Sequence, residues 1–107
     1  MKVFKLNNMI KGWFIGNFEP TLYKNNDFEI GVKSYKAGDY EEHHYHKIAT
    51  EFTVIVNGKV KMNDEIFEAG DILKIEPYFV TNFEAITDVE TVVVKIPCAK
   101  NDKYKKL

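Results

Sequence analysis

Turn-forming clusters recur along this chain at short intervals, and no segment between them shows a sustained helical period. The clusters are Asn25-Asn26-Asp27, Ala37-Gly38-Asp39, Asn57-Gly58, Asn63-Asp64, Ala69-Gly70-Asp71 and Thr87-Asp88. Between them lie runs rich in Val, Ile, Phe, Tyr and Thr: Phe28 to Tyr35, Glu51 to Val56, Ile72 to Ile75, Val80 to Ala85 and Val89 to Ile96. β-Branched and aromatic side chains pack well on a pleated surface, so each run reads as a strand. Strand-and-turn units of roughly 8–12 residues predict an all-β sandwich or barrel, and closing the barrel removes exposed edges. Asn57-Gly58, between Phe52–Val56 and Lys59–Met62, predicts a type I′ hairpin that makes those two strands antiparallel neighbours.

With 107 residues, 45% of them apolar, the chain has room for one domain. Residues 1–20, with the aromatic run Trp13-Phe14-Ile15-Gly16-Asn17-Phe18, read as a strand or arm covering a sheet edge. Residues 21–97 read as the barrel, and 98–107, rich in lysine, as a solvated tail. Fifteen basic against 16 acidic residues give a formal charge of −1, which draws in neither nucleic acid nor an anionic membrane. Every basic residue is lysine, so the planar fork that grips phosphates in bidentate fashion is missing. Cys98, the one cysteine, excludes an internal disulfide, and no apolar run reaches the ~18 residues of a membrane span. The expectation is a cytoplasmic protein with no nucleic-acid or membrane partner. A chain this short buries only about two thirds of its unfolded surface, which favours a homodimer.

His44 and His46 sit two apart in a segment that reads as strand, so both imidazoles share one face. Glu51 opens the next strand, and the link Lys47 to Thr50 is short enough to fold it back beside them. Two imidazoles and a carboxylate on one face form the triad that holds Fe, Mn, Ni or Zn with coordination positions left open. An isolated His-x-His is more often a pair of surface groups, so the spacing alone does not establish the site. His43 and Tyr45 alternate onto the opposite face unless a bulge intervenes. Lys95, in a run of valines, faces outward by default, because an inward ammonium needs a carboxylate or a ligand. Asp71 after Gly70 reads as a turn cap. Ser34 is the only serine and lies in no nucleophile elbow, and no glycine-rich loop precedes a helix, which argues against acyl transfer and phosphate-loop chemistry.

The wider pattern from Gly38 through His44, His46 and Glu51 to Gly58 resembles the first signature of the cupin family: glycine, five residues, His-x-His, four residues, glutamate, six residues, glycine. Gly70 to Asn82 resembles the second, with one extra residue before Pro77, Phe79 where a glycine is usual, and Asn82 where the last histidine is usual. The resemblance implies a double-stranded β-helix, a jelly-roll barrel with its site in the mouth. It implies His44, His46 and Glu51 as ligands of a divalent metal, with Asn82 as a weaker fourth. Tyr35, Tyr40 and Tyr78 flank the expected mouth. There they, with Asn82, are candidates for substrate binding, and His44, His46, Tyr40 and Tyr78 are candidates for acid–base catalysis. Core or rim packing is the commoner role for each tyrosine.

Three functions fit these residues. The first is a metal-binding barrel that recognises or transforms a small polar molecule, a sugar or organic acid. The second is a metal-free sugar-nucleotide isomerase or epimerase using the histidines as acid and base. The third is a non-catalytic binding or sensing barrel.

Overall fold

The structure is a computed structural model that describes residues 1–107. Its ten strands are β1 (Trp13–Ile15), β2 (Glu29–Tyr35), β3 (Tyr40–Tyr45), β4 (Thr50–Asn57), β5 (Lys59–Met62), β6 (Glu65–Glu68), β7 (Ile72–Ile75), β8 (Thr81–Ala85), β9 (Val89–Ile96) and β10 (Tyr104–Lys105). They form two five-stranded antiparallel sheets, β1-β2-β9-β4-β7 and β10-β3-β8-β5-β6. From β2 onward the chain passes repeatedly from one sheet to the other, which is how a jelly roll winds. The only helical residues, Leu6–Asn8, make one 3-10 turn, and no helix is long and apolar enough to cross a membrane.

The period-2 pattern of each strand decides which side chains meet between the sheets. Ile55, Ile75 and Val89 of the first sheet pack with Val60, Met62, Phe83 and Ala85 of the second. Ile55 and Val60 are 1% and 0% exposed, and burying each contributes about 1.5–3 kcal/mol. This core fills one end and the middle of the barrel and leaves the other end open. On the outer face of the first sheet, Val32, Val92, Val54 and Ile72 stand in register across β2, β9, β4 and β7. Ile72 there is 66% exposed.

Two expectations are corrected. Asn57-Gly58 is not a hairpin: β4 pairs with β7 and β9, whereas β5 pairs with β6 and β8, so the chain changes sheets at this point. A type I′ turn needs positive φ at both central residues, and only Gly58 has it. The turn that meets the requirement is Asn63-Asp64, with φ of 50° and 65°, which joins β5 to β6.

The lysine-rich end is not a solvated tail either. Tyr104 and Lys105 pair with Tyr45 and His44 as edge strand β10. Lys103 and Lys105 bridge to Glu41 and Glu42 at 3.3 and 2.8 Å, and Tyr104 stacks on Tyr45 at 5.6 Å. Lysines on an edge strand discourage pairing with a further chain while leaving the ladder intact.

Candidate functional site

The open end of the barrel is a cavity of about 360 Å³ whose walls come from both sheets. His44 and Glu41 of β3 and Thr81 and Phe83 of β8 form one wall, with Glu51, Thr53, Thr91 and Lys95 of β4 and β9 opposite. Phe83 and Met62 floor it, and Tyr35 of β2 lies against Phe83 with ring centroids 4.5 Å apart. Burial and the negative field of Glu41, Glu51 and Asp39 push the Tyr35 phenol far above its ordinary range, so it stays protonated and can donate. A groove of about 450 Å³ at the opposite end of the barrel lies among turns. Its Asp39 and Asp88 accept hydrogen bonds from the backbone N–H groups of Lys36 and Ala37.

The two histidines meet edge to face, with ring centroids 5.8 Å apart. His44 Nδ1 lies 2.8 Å from the Glu42 carbonyl oxygen, so Nδ1 carries the proton. In that tautomer Nε2 is the nitrogen turned toward the cavity's carboxylate, 3.9 Å from Glu41 Oε2. His46 lies just past the end of β3 and is 5% exposed. Burial, then the nearby Lys95 ammonium, lower its pKa against the opposing pull of Glu51, so the ring is neutral at pH 7.

The loop that carries His46 is fixed from two sides. Tyr78 N–H donates to the His46 carbonyl at 2.6 Å. The buried Asp102 carboxylate accepts the N–H groups of Lys47, Ile48 and Ala49 at 2.9 to 3.2 Å. Glu51 accepts the Thr53 hydroxyl at 2.7 Å.

His44, His46, Glu51 and Tyr35 line the cavity, and the other candidates, Tyr40, Tyr78 and Asn82, do not. Tyr40 is 54% exposed, and Tyr78, 65% exposed, stacks on Tyr45 at 6.1 Å. Asn82 points away, and its Oδ1 accepts the Asn63 N–H at 2.7 Å. The cause is a shift of phase. The left-handed residue of the preceding turn is Tyr78, φ 68°, one position ahead of Phe79, where the resemblance places a glycine. The strand then starts one residue early, and Thr81 faces His44 in the place expected for Asn82.

Glu41 joins the site because a bulge between Glu41 and His44 adds a residue to β3 and puts both on one face. His43 stays exposed on the outside. Lys95 faces inward, contrary to the outward expectation, as does Lys33 of β2.

The donor types suit a divalent cation, since His44 keeps a free Nε2, His46 is neutral and Glu51 is a carboxylate. Their placement does not: no three His, Cys, Asp or Glu side chains converge on a point, Asn82 is turned away, and an ammonium stands beside His46. As placed, the residues do not fit a resident metal.

Thr91, 1% exposed beneath the cavity, has a hydroxyl with no hydrogen-bond partner in the protein. An unpaired buried hydroxyl costs about 1–3 kcal/mol, and valine keeps the shape without it. Thr91→Val is expected to raise stability by about 1 kcal/mol in urea unfolding. A loss of that size would show that the hydroxyl is satisfied in solution.

No protein-family model and no curated protein matches the chain. Solved structures do. An RmlC-like cupin from Shewanella frigidimarina is 16% identical over 72% of this chain and 72% of its own, with a TM-score of 0.66. An uncharacterized conserved protein with a double-stranded β-helix domain from Klebsiella pneumoniae is 20% identical over 90% and 84%, TM-score 0.66. Oxalate decarboxylase from Bacillus subtilis, described with Mn(II) centres, is 15% identical over 76% of this chain and 24% of that one, TM-score 0.65. These likenesses establish the fold: the chain is a double-stranded β-helix of the cupin type.

Proposed function

We propose that this cupin-type barrel receives a small polar molecule, a sugar or organic acid, in the cavity between its sheets, with His44, His46 and Glu51 as the groups that recognise it. The observation that carries this reading is that all three side chains line one cavity over an apolar floor, with the Tyr35 hydroxyl group as an added donor. The volume lies near the lower end of the ~300–1,000 Å³ span of ligand pockets. That favours a molecule of monosaccharide size over a whole sugar nucleotide, as does the absence of arginine. A neutral imidazole at His46 suits accepting a proton from such a ligand near pH 7. The apolar outer face of the first sheet supports a homodimer, and nothing in the charge balance calls for nucleic acid or membrane.

A second reading adds a divalent cation, Fe, Mn, Ni or Zn, among the same three groups. It is favoured by the His44 tautomer and by the opening of His44, His46 and Glu51 onto one cavity, and it requires these side chains to rotate toward one another.

One set of measurements separates the readings. A screen of sugars and organic acids by thermal shift is expected to give a stabilising compound; saturation to 100 times Kd stabilises by about 2.7 kcal/mol. His46→Ala should keep the fold and lose the shift; a shift that persists in the variant would sink the proposal. Elemental analysis of both proteins tests the second reading. Stoichiometric metal that disappears with His46 supports the cation, and its absence from the wild type rules that reading out.

A further inference from the structure

The cavity mouth carries four ammonium groups, Lys11, Lys33, Lys95 and Lys103, against two carboxylates, Glu41 and Glu51. Lys103 is matched by Glu41 at 3.3 Å. Lys33 and Lys95 are not: neither has a carboxylate within 4.0 Å. Lys33 Nζ donates to the Lys11 carbonyl at 2.8 Å and lies 5.4 Å from the centroid of the Trp13 ring; Lys95 Nζ lies 5.2 Å from the same centroid. Two like charges thus flank one indole. The carboxylates opposite Lys95 across the ladder, Glu29 and Glu51, accept hydrogen bonds from Ala99 N–H and the Thr53 hydroxyl.

Trp13 is fixed where it is by a missing side chain. Gly31, its partner across β1 and β2, leaves room for the indole, and a Cβ at that position would stand 2.8 Å from the ring. Cation–π contact contributes only about 0.5–1 kcal/mol at exposed sites and does not offset the repulsion of two part-buried ammoniums. Burial, the largest influence on Lys33, lowers its pKa, the sign of a charge without full compensation.

We propose that Lys33 and Lys95, with Trp13 between them, bind the oxyanion of the ligand, a carboxylate or phosphate, while its polar body reaches His44, His46 and Glu51. This rests on the reading above and narrows it: the ligand is a sugar acid, sugar phosphate or organic acid and not a neutral sugar.

Trp13 is the only tryptophan, so its fluorescence reports on this spot directly. D-Glucuronate, D-glucose 6-phosphate and D-glucose share a ring and differ in charge, and inorganic phosphate supplies the anion alone. Titration with glucuronate or glucose 6-phosphate is expected to change Trp13 emission saturably, with glucose without effect at the same concentrations. Which of the two anionic sugars and phosphate binds most tightly separates a carboxylate site from a phosphate site. Lys33→Met and Lys95→Met should each weaken binding about tenfold, and the double variant should abolish it. Lys74→Met, on the outer face, should change nothing.

No saturable response to any anion, or one that survives in the double variant, overturns the inference. Binding of glucose alone, lost in His46→Ala, would overturn it and leave the cavity reading standing. Lysine-dependent anion binding unaffected by His46→Ala would uphold it and remove the histidines from the proposal.

Discussion

Asp102→Ala is expected to lower the stability of the fold by about 3–4 kcal/mol, a large share of the ~5–15 kcal/mol that holds a small domain together. The carboxylate is 6% exposed and gathers three successive N–H groups, those of Lys47, Ile48 and Ala49. Removing it leaves three donors without partners, each costing about 1–3 kcal/mol where water cannot replace the acceptor. The same change frees the loop between His46 and Glu51, so ligand binding should weaken in parallel. Burial acts to raise the Asp102 pKa, and the three donors outweigh it and hold the group below its ordinary value. A carboxyl depressed in the folded state stabilises fully above its unfolded pKa, about 3.9, and loses that contribution as pH falls through the folded value. Urea unfolding at pH 7 and pH 3 should therefore show the gap between wild type and variant narrowing in acid. A gap independent of pH would mean that the charge of Asp102 does not matter.

Gly12→Ala should cost about 2–4 kcal/mol. Gly12 has φ of +83°, a region that costs an L-residue about 1–2 kcal/mol. An added Cβ would also overlap the carbonyl oxygen of Val32, whose N–H donates to Gly12 at 3.0 Å. Backbone cannot swing aside as a side chain can, so β1 must shift away from β2, carrying Trp13 off Gly31. The expected signature is a lower urea midpoint together with red-shifted Trp13 emission. A variant with wild-type emission and less than 1 kcal/mol lost would contradict this account of the strand.

The parts of the molecule legible in its sequence are those that depend on alternation alone. Ile72–Ile75 and Val89–Ile96 are strands with the bounds their composition suggests, and Asp71 caps its turn by accepting the Glu68 N–H at 2.9 Å. His44, His46 and Glu51 reach one cavity for the same reason. What escaped depends on phase or on distant partners. The bulge in β3 carries Glu41 inward, and the early turn at Tyr78 exchanges Asn82 for Thr81; each is a shift of one residue that composition does not register. Lys33 and Lys95 run against the preference of charged groups for water, and the indole both of them approach comes from Trp13, distant from both along the chain. Asp102 sits in a lysine-rich stretch with every mark of a solvated end, and its role appears only once the loop more than fifty residues earlier is seen folded around it.

Trp13 belongs to a three-residue strand at the margin of its sheet and is seated on Gly31 by contact, not interleaved with the core. Selection can therefore alter what the barrel admits by editing a short stretch near the beginning of the chain, without disturbing the packing that keeps the two leaves together. Related barrels that diverge in that stretch are expected to differ in ligand preference sooner than in thermal stability.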